Sequence, residues 1–265
     1  MGILGLNHVG ISAPDLTSVC AFYCKHLGMS ESASFSWSSG NVAADTGLGL
    51  VDSAADVVVI NAGNVFLEAF QFHSPVPERG AGPGFGPLTW AVTDASRVRD
   101  AAAATGGRVL PDGSVLDPAG IRLLLRETDQ AAPDDDGSPV LLKLTEVALR
   151  AITPDPVADW WAQVGPVTVH EHQGPAGAPH ICDLGANHIC LDVTEIDVVH
   201  SALSAKGMTW HAPPVTMPGG HAIVGYGWDP WGNALELMEC LDTEATLHQE
   251  RLLRRAAHLS TETTT

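Results

Sequence analysis

The sequence predicts an α+β protein built from four strand-first modules that curl into half-barrels and pair to close a core. Three observations lead there. Short apolar runs alternate with short helical stretches, always with the strand first. A Gly-Asn turn between β-branched and aromatic runs marks a hairpin in the first unit. The second half also echoes the first: LTEVALRAITPD at 144–155 repeats the cadence of LNHVGISAPD at 6–15, and WWAQVG at 160–165 that of FYCKHLG, which ends at Gly28.

Taken in order, LNHVGIS at 6–12 is a short strand, and Pro14 and Asp15 open a helix that SVCAFYCKHL carries to a stop at Gly28. DVVVINAGNVFLEAFQF at 56–72 is the hairpin. The plan restarts at LTWAVTD (88–94), passes through the Ala-rich helix RVRDAAAATGG, and ends in IRLLLRE. AAPDDDGSP at 131–139 is an acidic, Pro/Gly-containing linker. It separates a two-module half at 1–130 from another at 140–242. A third unit begins at 144 with shortened closing strands. The fourth begins at NHICLDVTEID, continues in the helix VVHSALSAKG and closes on GYGWDPWGNALELMEC. Residues 243–265 read as an amphipathic helix running into a flexible tail.

Composition excludes several roles. Of 265 residues, 45% are hydrophobic and 17% charged, a globular balance. The net charge of −18, from 13 Lys+Arg against 31 Asp+Glu, would repel nucleic acid and weighs against a heavily phosphorylated substrate. No apolar run approaches the roughly 18 residues that cross a bilayer, and MGILGLNHVG carries neither signal-peptide nor acylation features. The five cysteines lack a CxxC pair, and Cys20 and Cys24 read as one side of a helix face. The expected setting is reduced and cytoplasmic, without membrane contact, for a monomer or homodimer that takes a small-molecule substrate.

HVGISAPDL followed by AFYxxxLGM resembles the opening of a glyoxalase-type module, and WDPWGNALEL resembles the closing hairpin of the same vicinal-oxygen-chelate superfamily (glyoxalases, bleomycin resistance proteins, extradiol dioxygenases). The resemblance spans roughly residues 4–242 and is weak in the middle modules. It implies four βαβββ modules paired into two half-barrel domains. It also implies that each module's first strand offers a His and its last strand a Glu to one divalent metal. Carried over, these are His8 and Glu68 in the first module, and His188 and Glu236 in the fourth. The second module has Pro87 and Leu124 at those positions. The third has Glu146 in place of the His, and only Asp183 as a doubtful Glu equivalent.

Strand alternation agrees. His8, Gly10 and Ser12 share one face, while Val9 and Ile11 share the other. Glu68 falls on the face of Phe66 and Phe70, where a carboxylate is costly unless paired or metal-bound. A single strand histidine is ordinarily a core or surface residue. Two of them, each preceded by Asn and followed in its module by a hairpin glutamate, argue for ligands. The N/O set suits Zn, Ni, Co, Mn or Fe(II) without choosing among them. Because only the outer modules keep ligands, pairing module one with module four, within one chain or across a swapped homodimer, completes a site and leaves Pro87 and Leu124 in a closed apolar counterpart. Pairing neighbouring modules instead would leave each half with two ligands.

The resemblance favours a glyoxalase- or epimerase-like lyase or isomerase, in which a metal-side glutamate removes a proton next to a carbonyl. Glu236 is the preferred base and Glu68 the alternative. His221 and Tyr226 are further acid or base candidates, and Trp228 or Trp231 could stack on substrate. His170, His172 and His180 form a possible second cluster, although exposed loop histidines are the plainer reading. The alternatives are an Fe(II) extradiol-type dioxygenase and a non-catalytic small-molecule (drug) binding protein.

Overall fold

Strand β1 (Ile3–Ser12) hands over to helix α1 (Leu16–Cys20) through Asp15, whose carboxylate accepts from the Thr17 and Ser18 amides and caps the helix. The helix widens into a π-helical turn at Ala21–His26, and Gly28, at φ 73°, lets the chain leave it. Strand β2 (Ser30–Trp37), helix α2 (Val42–Leu48) and the hairpin β3 (Ala54–Ala62) and β4 (Val65–Ser74) complete the first module. The structure, a computed structural model, describes residues 2–78, 82–128, 140–174 and 180–241. The 131–139 linker and the helix and tail expected from residue 243 lie outside them.

The second module runs β5 (Gly84–Val92), α3 (Ala95–Ala104), β6 (Arg108–Val109), β7 (Val115–Leu116) and β8 (Arg122–Glu127). The third is short: β9 (Leu141–Ala151), α4 (Pro154–Trp161) and β10 (Val167–Glu171). The fourth comprises β11 (Gly185–Val193), α5 (Ile196–Ser204), β12 (Thr209–Trp210), β13 (Val215–Thr216), β14 (Ala222–Trp228) and β15 (Ala234–Cys240).

The strands form two sheets, and each draws on both halves of the chain. One is ordered β12-β14-β15-β11-β1-β4-β3-β2, with β13 also on β14; the other is ordered β10-β9-β5-β8-β7-β6. Module one thus joins module four through antiparallel β1 and β11, and module two joins module three through antiparallel β5 and β9. Residues 1–130 and 140–242 therefore interleave. The fold is α+β, as the sequence predicts.

The larger sheet has one apolar and one functional face. Val9, Ile11, Leu67, Ile189, Leu191, Leu235 and Leu237 are buried in a core shared with the helices and the second sheet. Each such side chain contributes about 1.5–3 kcal/mol by leaving water. The opposite face of the same strands carries His8, Glu68, His188 and Glu236.

Candidate metal centre

Register brings the four residues together. In the β1–β11 ladder Gly10 faces His188 and His8 faces Cys190. In the parallel β1–β4 ladder Gly10 faces Glu68, and in β11–β15 Cys190 faces Glu236. The two halves of the cluster are related by a local pseudo-twofold axis between β1 and β11, with a constant offset of 180 residues along those strands.

The ligand-type atoms are close. His8 Nε2 lies 3.2 Å from His188 Nε2, 3.3 Å from Glu68 Oε2 and 2.9 Å from Glu236 Oε2. His188 Nε2 lies 3.6 Å from Glu68 Oε2 and 3.4 Å from Glu236 Oε2. A tetrahedral ion with bonds of about 2.0–2.2 Å has ligand–ligand edges of roughly 3.3–3.6 Å, and all of these spacings except the 2.9 Å His8–Glu236 contact lie at or near that length. The Oε2 atoms of Glu68 and Glu236 are buried without a hydrogen-bond partner. Two orphaned carboxylate oxygens aimed at one point are expensive unless a cation satisfies them. The residues fit a divalent metal on that ground. Among the described residues this is the one group of three or more His, Cys, Asp or Glu side chains arranged to hold an ion.

Supporting residues fix the imidazoles. His8 Nδ1 lies 3.0 Å from Asn7 Oδ1 and His188 Nδ1 lies 2.7 Å from Asn187 Oδ1, so each ring donates from Nδ1 and turns its Nε2 lone pair inward. The amide orientations are themselves set across the axis: Asn7 Nδ2 donates to Asp192 at 2.9 Å, and Asn187 Nδ2 donates to the Ser12 hydroxyl at 2.7 Å. The repeated Asn-His dipeptide was visible in the sequence; its partners Ser12 and Asp192, five residues on in each strand, were not.

Charge is shared within the cluster. Burial alone would raise the Glu236 carboxyl, but the neighbouring imidazoles, His8 first and then His188, hold it well below its ordinary range. Burial would lower His8, and Cys190, Glu236 and Glu68 outweigh it, raising the imidazole well above 6.5. Burial, then the carboxylates of Glu236 and Glu68, push the Tyr226 phenol well above 10. Tyr226 therefore stays protonated, and it hydrogen-bonds Glu236, its register partner in the β14–β15 hairpin. Val59 occupies the equivalent place opposite Glu68, so Glu68 lacks a phenolic partner. Glu68 is also the more open carboxylate, with its side chain 13% exposed against 2% for Glu236.

Apolar groups wall the cluster. Phe70, 6.0 Å from the His188 ring, stacks on Phe72, and Leu48, Ile181, Cys182, Trp37, Leu50 and Trp228 pack around them. Helix α2 is part of this wall and is tied to the fourth module by His211, whose Nδ1 donates to the Gly47 carbonyl at 2.9 Å.

The remaining candidates lie elsewhere. His221 is exposed at the far end of β14, five residues and roughly 16 Å along the strand from Tyr226, so the structure does not bring it to the cluster. Trp231 packs near Trp160, away from the site. His170 is exposed and pairs with Glu146 at 3.3 Å, and the His180 amide bonds Asp183. The counterpart in the second sheet corrects one expectation. Thr89 faces both Glu146 and Leu124, so Pro87 and Leu124 do stand at the vacated ligand positions, but the surroundings are polar and partly open. Thr89 donates to Glu146 at 3.3 Å, and Arg126 lies 3.9 Å from it. A carboxylate at position 146 needs such partners, and an apolar closure would strand it.

No curated protein matches the chain. Among solved structures, it resembles glyoxalase I from Zea mays (14% identity, 93% of this chain and 96% of that chain covered, TM-score 0.62). It also resembles a putative dioxygenase from Bacillus subtilis (12% identity, 98% and 96% covered, TM-score 0.64) and the cppA protein of Streptococcus pneumoniae (13%, 90% and 100%, TM-score 0.52). At these identities the likeness is one of fold. The sequence pattern of the Glyoxalase/Bleomycin resistance protein/Dioxygenase superfamily, by contrast, matches residues 5–237, nearly the whole described chain. With two sheets built from four modules and that match along its length, the chain belongs to the glyoxalase/bleomycin resistance protein/dioxygenase superfamily.

Proposed function

We propose that the chain is a metal-dependent lyase or isomerase of the glyoxalase type, acting on a small carbonyl compound by moving a proton next to the carbonyl. The observation that carries this reading is the pair of orphaned carboxylate oxygens, Glu68 Oε2 and Glu236 Oε2, converging on two Nε2 atoms. His8, Glu68, His188 and Glu236 would hold one divalent ion. That ion would supply the positive charge that makes an enolate affordable at neutral pH.

The sequence alone favours Glu236 as the base, and the structure favours Glu68. Glu236 is clamped by Tyr226 and both histidines, which suits a fixed ligand. Glu68 is more exposed and unclamped by a hydroxyl, so its second carboxylate oxygen can take a substrate proton and return it at the neighbouring carbon while Oε2 faces the ion. Tyr226 keeps Glu236 oriented, and Phe70 and its aromatic neighbours form one wall of the site. The dioxygenase alternative gains no comparable support, because two carboxylates meet the histidines where the two-His-one-carboxylate pattern has one.

The test is metal analysis of the purified protein, followed by proton NMR of α-hydroxycarbonyl compounds incubated with it in D2O. One metal equivalent per chain and enzyme-dependent exchange of the α-proton are expected. Stoichiometric oxygen uptake with catechols, without exchange, would replace this reading with ring cleavage. Drug binding without metal or turnover would replace it with sequestration.

A further inference from the structure

The second sheet, which has lost the ligand set, carries an unusual concentration of positive charge for this acidic chain. Alternation places Arg122, Leu124 and Arg126 on one face of β8, and Glu146, Ala148 and Arg150 on one face of β9. Leu124, Thr89 and Glu146 stand side by side across the ladders, so these are the same face of the sheet. Only 13 Lys+Arg exist in the whole sequence, and three arginines share this surface.

Their charges are unequally satisfied. Arg126 faces Glu146, and Arg122 is paired with Asp112 and donates to the Ser114 hydroxyl at 2.9 Å. Arg150 has no carboxylate within ion-pair reach among the described residues. Among the described residues, its guanidinium makes only a long 3.5 Å contact to the Gly82 carbonyl, and its Nε is buried with no hydrogen-bond partner. A buried guanidinium donor without an acceptor is costly, and Arg retains its charge at every accessible pH.

A cavity of about 350 Å³ opens beside it, lined by Arg150, Arg122 and the backbone of Gly82–Pro87, with Gly185 on the far wall. A Cβ on Gly86 or Gly185 would meet nothing within 4 Å, so both glycines border open space. The volume suits a small organic molecule, and the walls combine the two arginines with apolar surface from Phe85, Leu116, Ile121 and Leu184.

We propose that this cavity is a second ligand site, distinct from the metal centre, which binds a small organic anion through its carboxylate or phosphate group against Arg150 and Arg122. The planar fork of Arg150 supplies the donors such a group accepts. The overall negative charge opposes anions at long range, and its effect is screened beyond about 8–10 Å in physiological salt, so local pairing decides the binding.

The experiment is calorimetric titration of the metal-loaded protein with inorganic phosphate and, separately, with malonate. Comparing the two anions shows which group the site prefers. Saturable binding of at least one is expected, weakened about tenfold or more in Arg150→Gln, as loss of a charged hydrogen bond implies. Metal content should be unchanged in that variant. Arg122→Gln, at a more exposed position, should weaken binding in the same direction and serves if Arg150→Gln does not fold. Absence of saturable binding up to about 10 mM, or binding that neither variant weakens, would overturn the proposal. The second outcome would assign the anion to the metal centre instead.

Discussion

Gly10 lies directly beneath the imidazole of His188: a Cβ at position 10 would overlap the ring's Cε1 and Nδ1 and crowd Asn187 Oδ1. The pseudo-twofold mate of Gly10 is Cys190, which carries a side chain beside His8. The two histidines therefore have different floors. Gly10→Ala should leave the fold intact, at an overpacking cost of about 1–3 kcal/mol, while displacing His188 from its Asn187 hydrogen bond. Metal affinity, read by competition with a chromogenic chelator, should fall roughly 10- to 100-fold. Unchanged affinity would mean that His188 is not held where a metal needs it.

His188→Ala and His221→Ala separate ligand from bystander. The first removes one of four converging atoms and should strip most of the metal from the purified protein. The second alters an exposed strand end and should leave both metal content and turnover near wild type. Mass spectrometry of the two variants, prepared side by side, is the measurement; equal metal loss would put His221 in contact with the ion.

The order of elements and the pairing of the outer modules were legible in the sequence because strand alternation and ligand economy are local or countable properties. Pro87 and Leu124 occupy places where a ligand would be needed, and Asn-His occurs once in each outer module. Other features depend on contacts between strands far apart in sequence. The clamp of Tyr226 on Glu236, with Val59 opposite Glu68, emerges only when both hairpins are in register. His221 was a reasonable candidate by proximity to Tyr226 in sequence, but five strand residues carry it out of reach. The charge on the second sheet's open face was hidden because Arg122, Arg126 and Arg150 look scattered until β8 and β9 flank β5.

The two carboxylates should behave differently. Glu68→Gln is expected to retain much of the metal and to lose 100- to 10,000-fold in kcat, the range for removing a general base. Glu236→Gln should lose metal first, because the clamped residue acts as a ligand. Tyr226→Phe should retain metal less tightly and reduce kcat more modestly than Glu68→Gln, through misplacement of Glu236. Steady-state kinetics at saturating metal distinguish these outcomes. Glu236→Gln with full metal and no activity would return the base role to Glu236.

The cluster also sets how the metal-free protein responds to pH. Cys190, Glu236 and Glu68 raise His8 well above 6.5 against the effect of burial, so its proton stabilises the fold fully below about pH 6.5. That contribution fades as pH rises through the folded value. Glu236 is held low by the histidines against burial, so its contribution is present above about pH 4.3 and is lost as pH falls through its folded value. Both contributions coexist between those limits. After chelator treatment, Tm should therefore decline from near pH 6 toward pH 9 more steeply in wild type than in His8→Ala, which lacks the titrating ring. Adding metal should reverse the trend, because the ion competes with the His8 proton and gains affinity as pH rises. Melting curves with and without chelator across pH 5–9 provide the check. Parallel slopes in wild type and His8→Ala would show that His8 does not hold the cluster's proton.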